Sequence, residues 1–152
     1  MAAKPSSART SARTPVTRGL PPPGPPPPPP PADYPNKRST GPFSAPQDAT
    51  AIDWAVLNGG GTGHWIRVTV FRCPVGAVKI PIAGPTQTFL PSKVTSHLTV
   101  TLNADRRSVY YDVLFEDEDL MMHPSVQLFR KYPTDLIAGT LIPAGDLTQT
   151  QT

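Results

Sequence analysis

The stretch that decides the fold runs His64-Trp65-Ile66-Arg67-Val68-Thr69-Val70-Phe71-Arg72-Cys73. Ile66, Val68 and Val70 recur at every second residue, which places them on one face of an extended strand. Trp65, Arg67, Thr69, Phe71 and Cys73 fall on the other face, and Pro74 ends the run. The same period recurs on both sides. Ile52, Trp54 and Val56 alternate with Asp53 and Ala55, with Trp54 expected in the core. Val78, Ile80 and Ile82 form a set that Pro81, Gly84 and Pro85 are expected to close. Leu98, Val100 and Leu102 make a fourth, and Val109, Tyr111, Val113 and Phe115 a fifth. Shorter candidates follow at Val126 to Phe129 and Leu136 to Ile142. No window sustains a helical period; only residues 117–123 suit a helical turn. The pattern predicts an all-β chain, an antiparallel β-sandwich of jelly-roll or Greek-key topology.

The first third of the chain is different. Of 22 prolines in 152 residues, 15 lie in residues 1–50. That segment carries six Lys/Arg against two acids, whereas residues 51–152 carry eight against nine. The net charge of +3 therefore belongs to the N-terminal segment. Ser-Ala-Arg-Thr occurs twice in tandem at 7–14, with almost nothing apolar to offset ordering entropy. Residues 21–31 are ten prolines around Gly24. Proline fixes φ and donates no hydrogen bond, so this tract is extended and spans about 34 Å. Residues 32–50 read as flexible polar sequence with two isolated aromatics, Tyr34 and Phe43. The expected organisation is a disordered, basic and polyproline arm at 1–50 and a β-sandwich at 51–152. The arm reads first as a stiff spacer. A proline-rich ligand for an aromatic groove and a salt-sensitive contact to an anionic surface are the other readings.

Composition removes several function classes. No stretch reaches the roughly 20 apolar residues of a bilayer span, and no apolar h-region follows Lys4, so no secretory signal peptide is expected. A basic face for specific nucleic-acid binding is not expected in a domain of near-neutral charge. The single cysteine, Cys73, forms no intrachain disulfide and reads as a small buried hydrophobe.

The candidate sites are weak as chemistry. Gly59 to Gly63 ends in His64-Trp65, without the Lys-Ser/Thr of a phosphate loop and before a strand rather than a helix, so it reads as a strand connection. Glu116-Asp117-Glu118-Asp119 lacks the spacing of a calcium loop and reads as a solvated acidic turn, with calcium left open. His64, His97 and His123 have no metal-ligand spacing, and no serine sits in a Gly-x-Ser-x-Gly elbow. No catalytic residue, metal or cofactor is predicted. What remains is an apolar excess on the outward faces of two strands: Trp65 and Phe71 beside Arg67 on one, Tyr110 and Leu114 on the other. Such a surplus marks a strand covered on both sides or a patch used for association.

Two segments, Ile66 to Phe71 and Ile137-Ala138-Gly139-Thr140-Leu141-Ile142-Pro143-Ala144-Gly145-Asp146-Leu147, carry a resemblance. With the flexible N-terminal arm, they resemble the small jelly-roll subunits of endospore appendages in spore-forming bacteria. The resemblance implies self-assembly into filaments through the arm, at a bacterial cell or spore surface. This chain departs from that family in having a polyproline tract where a cysteine-bearing connector is found, which puts covalent cross-linking in doubt. The expectation is a non-enzymatic protein whose partners are copies of itself or an anchoring surface. A carbohydrate- or peptide-binding module on a proline-rich spacer, or a virion decoration or tail protein, is the alternative.

Overall fold

Ile52, Trp54 and Val56 are buried from solvent, as the alternation required, and so are Ile66, Val68 and Val70 and Tyr111, Val113 and Phe115. These triplets lie on the strands around which the structure is organised. The computed structural model describes residues 23–143 and 146–149. Its strands are β1 (Asn36–Ser39), β2 (Phe43–Ser44), β3 (Ala51–Asn58), β4 (His64–Cys73), β5 (Ile80–Leu90), β6 (Thr95–Thr101), β7 (Tyr110–Asp117), β8 (Met122–Lys131), β9 (Asp135–Leu136) and β10 (Thr148–Gln149). The chain is all-β, with a short 3-10 turn at Ala104–Arg106.

Two antiparallel sheets result. The first has the order β10-β1-β7-β4-β5, with β2 also paired to β7; the second has the order β6-β3-β8-β9. Their inward residues form one hydrophobic cluster. Trp54 of the second sheet meets Phe115 of the first edge-on, at 6.4 Å between ring centroids, a favoured aromatic geometry.

Two expectations are corrected. The stretch 32–50 is not flexible polar sequence: Tyr34 is 1% exposed, and β1 pairs β7 through Asn36↔Asp117, Lys37↔Glu116, Arg38↔Phe115 and Ser39↔Leu114. Phe43 stacks against Tyr111 at 6.3 Å. The sheet thus begins within the segment assigned to the arm, because β7 has a second edge whose N–H and C=O groups need partners. The Ser-Ala-Arg-Thr repeats and the start of the proline tract, residues 1–22, lie outside the described residues. Within the described part, Pro23 to Pro30 are exposed and belong to no strand.

The second correction concerns Pro81, Gly84 and Pro85, which do not close their segment. β5 runs on to Leu90, with a register irregularity opposite Val68–Val70. It lies at the end of its sheet, where a missing N–H breaks no ladder. Gly84 carries the irregularity at φ +90°, and a Cβ there would stand 2.4 Å from the Val68 carbonyl oxygen. Gly84→Ala is therefore expected to destabilise the fold by at least about 1–3 kcal/mol from backbone strain alone. Gly61→Ala, in open space, is expected to stay within about 0.5 kcal/mol of the parent. Urea unfolding of the two variants checks the contrast.

Candidate functional site

The cross-strand register puts the five residues singled out by sequence on one face. Arg67 lies opposite Glu116, Thr69 opposite Leu114, Phe71 opposite Asp112 and Cys73 opposite Tyr110. Antiparallel partners share a face, so Trp65, Arg67, Phe71, Tyr110 and Leu114 all belong to the outer side of the first sheet. On β5, Phe89 pairs Trp65 and Gln87 pairs Arg67.

One half of this face is covered by the chain's own N-terminal segment. The Trp65 indole Nε1–H donates to the Pro28 carbonyl at 2.9 Å, and the ring packs edge-on against Phe89 at 5.6 Å. Arg67 makes a two-pronged contact with Glu116, Nε to Oε2 at 2.6 Å and Nη2 to Oε1 at 2.7 Å. Its guanidinium lies 4.8 Å from the centre of the Tyr34 ring, a cation–π distance. Lys37 approaches the same Glu116 at 3.8 Å. The Glu116 hydrogen bond raises the Arg67 pKa above its already high value. Burial raises the Tyr34 phenol, with the Arg67 charge opposing.

The other half is open. Lys79 bonds to Asp112 at 2.9 Å and stands 4.6 Å from the centre of the Phe71 ring. Asp112 is buried and also accepts from Ser39 Oγ at 2.6 Å and Thr40 Oγ1 at 3.1 Å. A cavity of about 480 Å³ lies here, lined among others by Ser39, Cys73, Val75, Lys79, Tyr110 and Asp112. Cys73 is half-buried. Burial pushes its thiol pKa up, and the Asp112 carboxylate pushes it further, so it is held in the thiol form. Val75 and Val78 on the β4–β5 connection, and Ile80 at the start of β5, are exposed at this end.

The acidic run is not a solvated turn. Glu116 and Asp117 are buried in β7, an interior strand of its sheet. Asp117 takes the core-facing side and binds Arg38 Nη2 at 2.5 Å. Glu118 accepts the Trp65 backbone N–H at 2.6 Å, and Asp119 lies 3.3 Å from His64 Nε2. Alternation along β7 sends Glu116 and Asp117 to opposite faces and different partners, whereas Glu118 and Asp119, beyond the strand, both approach His64. Among the described residues no group of three or more His, Cys, Asp or Glu is placed to hold a metal ion, and no helix is long and apolar enough to cross a membrane. The glycine run connects β3 and β4 and is tied down by buried Asn58, whose amide donates to the Thr62 and Leu90 carbonyls at 2.8 and 2.9 Å.

Sequence reasoning missed Pro28, Tyr34, Gln87 and Phe89. The available signal was Tyr34 itself, a large aromatic in otherwise polar sequence.

No protein-family model matches the chain, and no curated protein matches it. The solved structure of Thermotoga maritima 1070 is similar at a TM-score of 0.44 and 11% identity, over 75% of this chain and 90% of that one.

The Arg38–Asp117 pair supplies a test of how the N-terminal strand is held. Asp117 has its pKa raised, first by burial, with Arg38 lowering it again. A carboxyl with a raised folded pKa binds its proton more readily folded than unfolded. Its favourable contribution is complete below the unfolded pKa and is lost as pH rises through the folded value. Arg38→Ala leaves that buried charge unpaired and is expected to cost about 3–5 kcal/mol at pH 7. The cost should shrink as pH falls and Asp117 takes up its proton. Urea unfolding of parent and variant at neutral and mildly acid pH reads both the size and the trend.

Proposed function

We propose that this chain is a non-enzymatic structural or interaction protein. In this reading it is a β-sandwich, of jelly-roll or Greek-key type, that self-assembles or attaches to a bacterial cell, spore or filament surface. The observation that carries the reading is the double use of the N-terminal segment. It adds β1 and β2 to the first sheet and also lies over that sheet's outer face, through Tyr34 on Arg67 and Pro28 on Trp65. Every one of these contacts is non-covalent and joins residues far apart in sequence. A neighbouring copy's segment has the same atoms to offer, and exchange of an identical element is a low-cost route to oligomers. The exposed Val75, Val78 and Ile80 add apolar surface suited to association. The bacterial-surface setting rests on the resemblance to endospore-appendage subunits. A peptide-binding module is the second reading, favoured by the Trp65–Pro28 contact.

Sedimentation velocity and negative-stain electron microscopy across a concentration series test the assembly. The full chain is expected to form a sedimenting or filamentous species, and a chain lacking residues 1–31 to assemble at least tenfold more weakly. A clean monomer at high concentration sinks the proposal, as does assembly indifferent to the deletion.

A further inference from the structure

We infer that the Trp65–Phe89 corner of the outer face is a binding site for a polyproline II segment, and that the chain's own tract at Pro23–Pro31 is its ligand. The inference rests on reading this face as an interaction surface, not on assembly. A proline tract carries carbonyl acceptors and no N–H donors, so none of its hydrogen bonds can be made internally. A receptor for it needs an apolar platform for the rings and a donor aimed at a carbonyl, the combination that aromatic-lined proline-reading grooves use. Trp65 supplies the donor, its indole N–H on the Pro28 oxygen at 2.9 Å, and the Trp65–Phe89 pair is the apolar surface beside it.

The corner is built to hold that ring in place. Phe89 braces the indole edge-on at 5.6 Å. Gly63 leaves the space that Phe89 occupies, since a Cβ there would lie 2.4 Å from Phe89 Cζ. The Trp65 backbone N–H is fixed by the Glu118 carboxylate at 2.6 Å. Arg67, clamped by Glu116, receives Tyr34 six residues after Pro28 and so anchors the end of the tract. The tether raises the local tract concentration to the order of millimolar, so the site is capped in cis. A proline-rich segment from elsewhere gains access only when the cap is disabled.

The test uses the full chain with Pro25 to Pro30 replaced by glycine and serine, and a synthetic peptide of the sequence of residues 21–31. The readout is the Trp65 indole N–H resonance, assigned by its loss in Trp65→Phe. The expected result is that replacing the tract shifts this resonance and that the peptide returns it toward its original position, saturating at least tenfold more tightly than on the unmodified chain. Adding Trp65→Phe, which keeps an aromatic body but removes the donor, should weaken peptide binding at least tenfold by calorimetry. An indole unmoved by replacing the tract, a peptide that fails to saturate, or equal binding by the Trp65→Phe variant overturns the site. Independently, the Trp65 indole proton of the unmodified chain should exchange with solvent at least tenfold more slowly than a free indole; free exchange also overturns it. A monomer that binds the peptide refutes assembly and keeps this site, and an assembling chain that ignores the peptide does the reverse.

Discussion

Strand β7 is paired along both of its edges, and the rest of the first sheet depends on it. On one side it holds β4 along eight consecutive residue pairs; on the other it holds β1 and β2. Main-chain groups on an interior strand have no water to turn to, so the second edge must be filled. The chain fills it with a segment that has little apolar content of its own. That choice brings Arg38 onto buried Asp117 and Ser39 onto buried Asp112. It also delivers Tyr34 to Arg67. The outer face is therefore divided into a covered half at Trp65 and Arg67 and an open half at Phe71, Cys73 and Tyr110.

The core was legible because its period is simple. Ile52, Trp54 and Val56, and likewise Ile66, Val68 and Val70, repeat every two residues and are all buried. The run His64 to Cys73 coincides with β4 residue for residue. Strand β1 was not legible, because Asn36-Lys37-Arg38-Ser39 has no apolar alternation; its position is set by β7's open edge and by charge pairs with residues about 80 positions away. The same pairs made Glu116 and Asp117 look solvated, since their partners are remote in sequence. In β5, Pro81 and Pro85 read as stops, and only the strand's place at a sheet edge makes them tolerable.

The candidate face was legible in its parts and not in its cover. Alternation placed Trp65, Arg67 and Phe71 together, and register adds Tyr110 and Leu114 to them. Nothing local links Trp65 to Pro28 across 37 residues. The proline tract, which read as a spacer holding the domain away from something, contains a residue seated on the domain itself. Extended geometry is what a spacer and a groove ligand have in common, so composition alone does not separate them.

Cys73 bears on the kind of contact the open half can make. The thiolate, not the thiol, attacks a disulfide or an oxidant, and burial and Asp112 both suppress its formation at this position. Lys79 opposes that shift, but it is committed to Asp112 at 2.9 Å, so the cavity wall offers a thiol and an ion pair side by side.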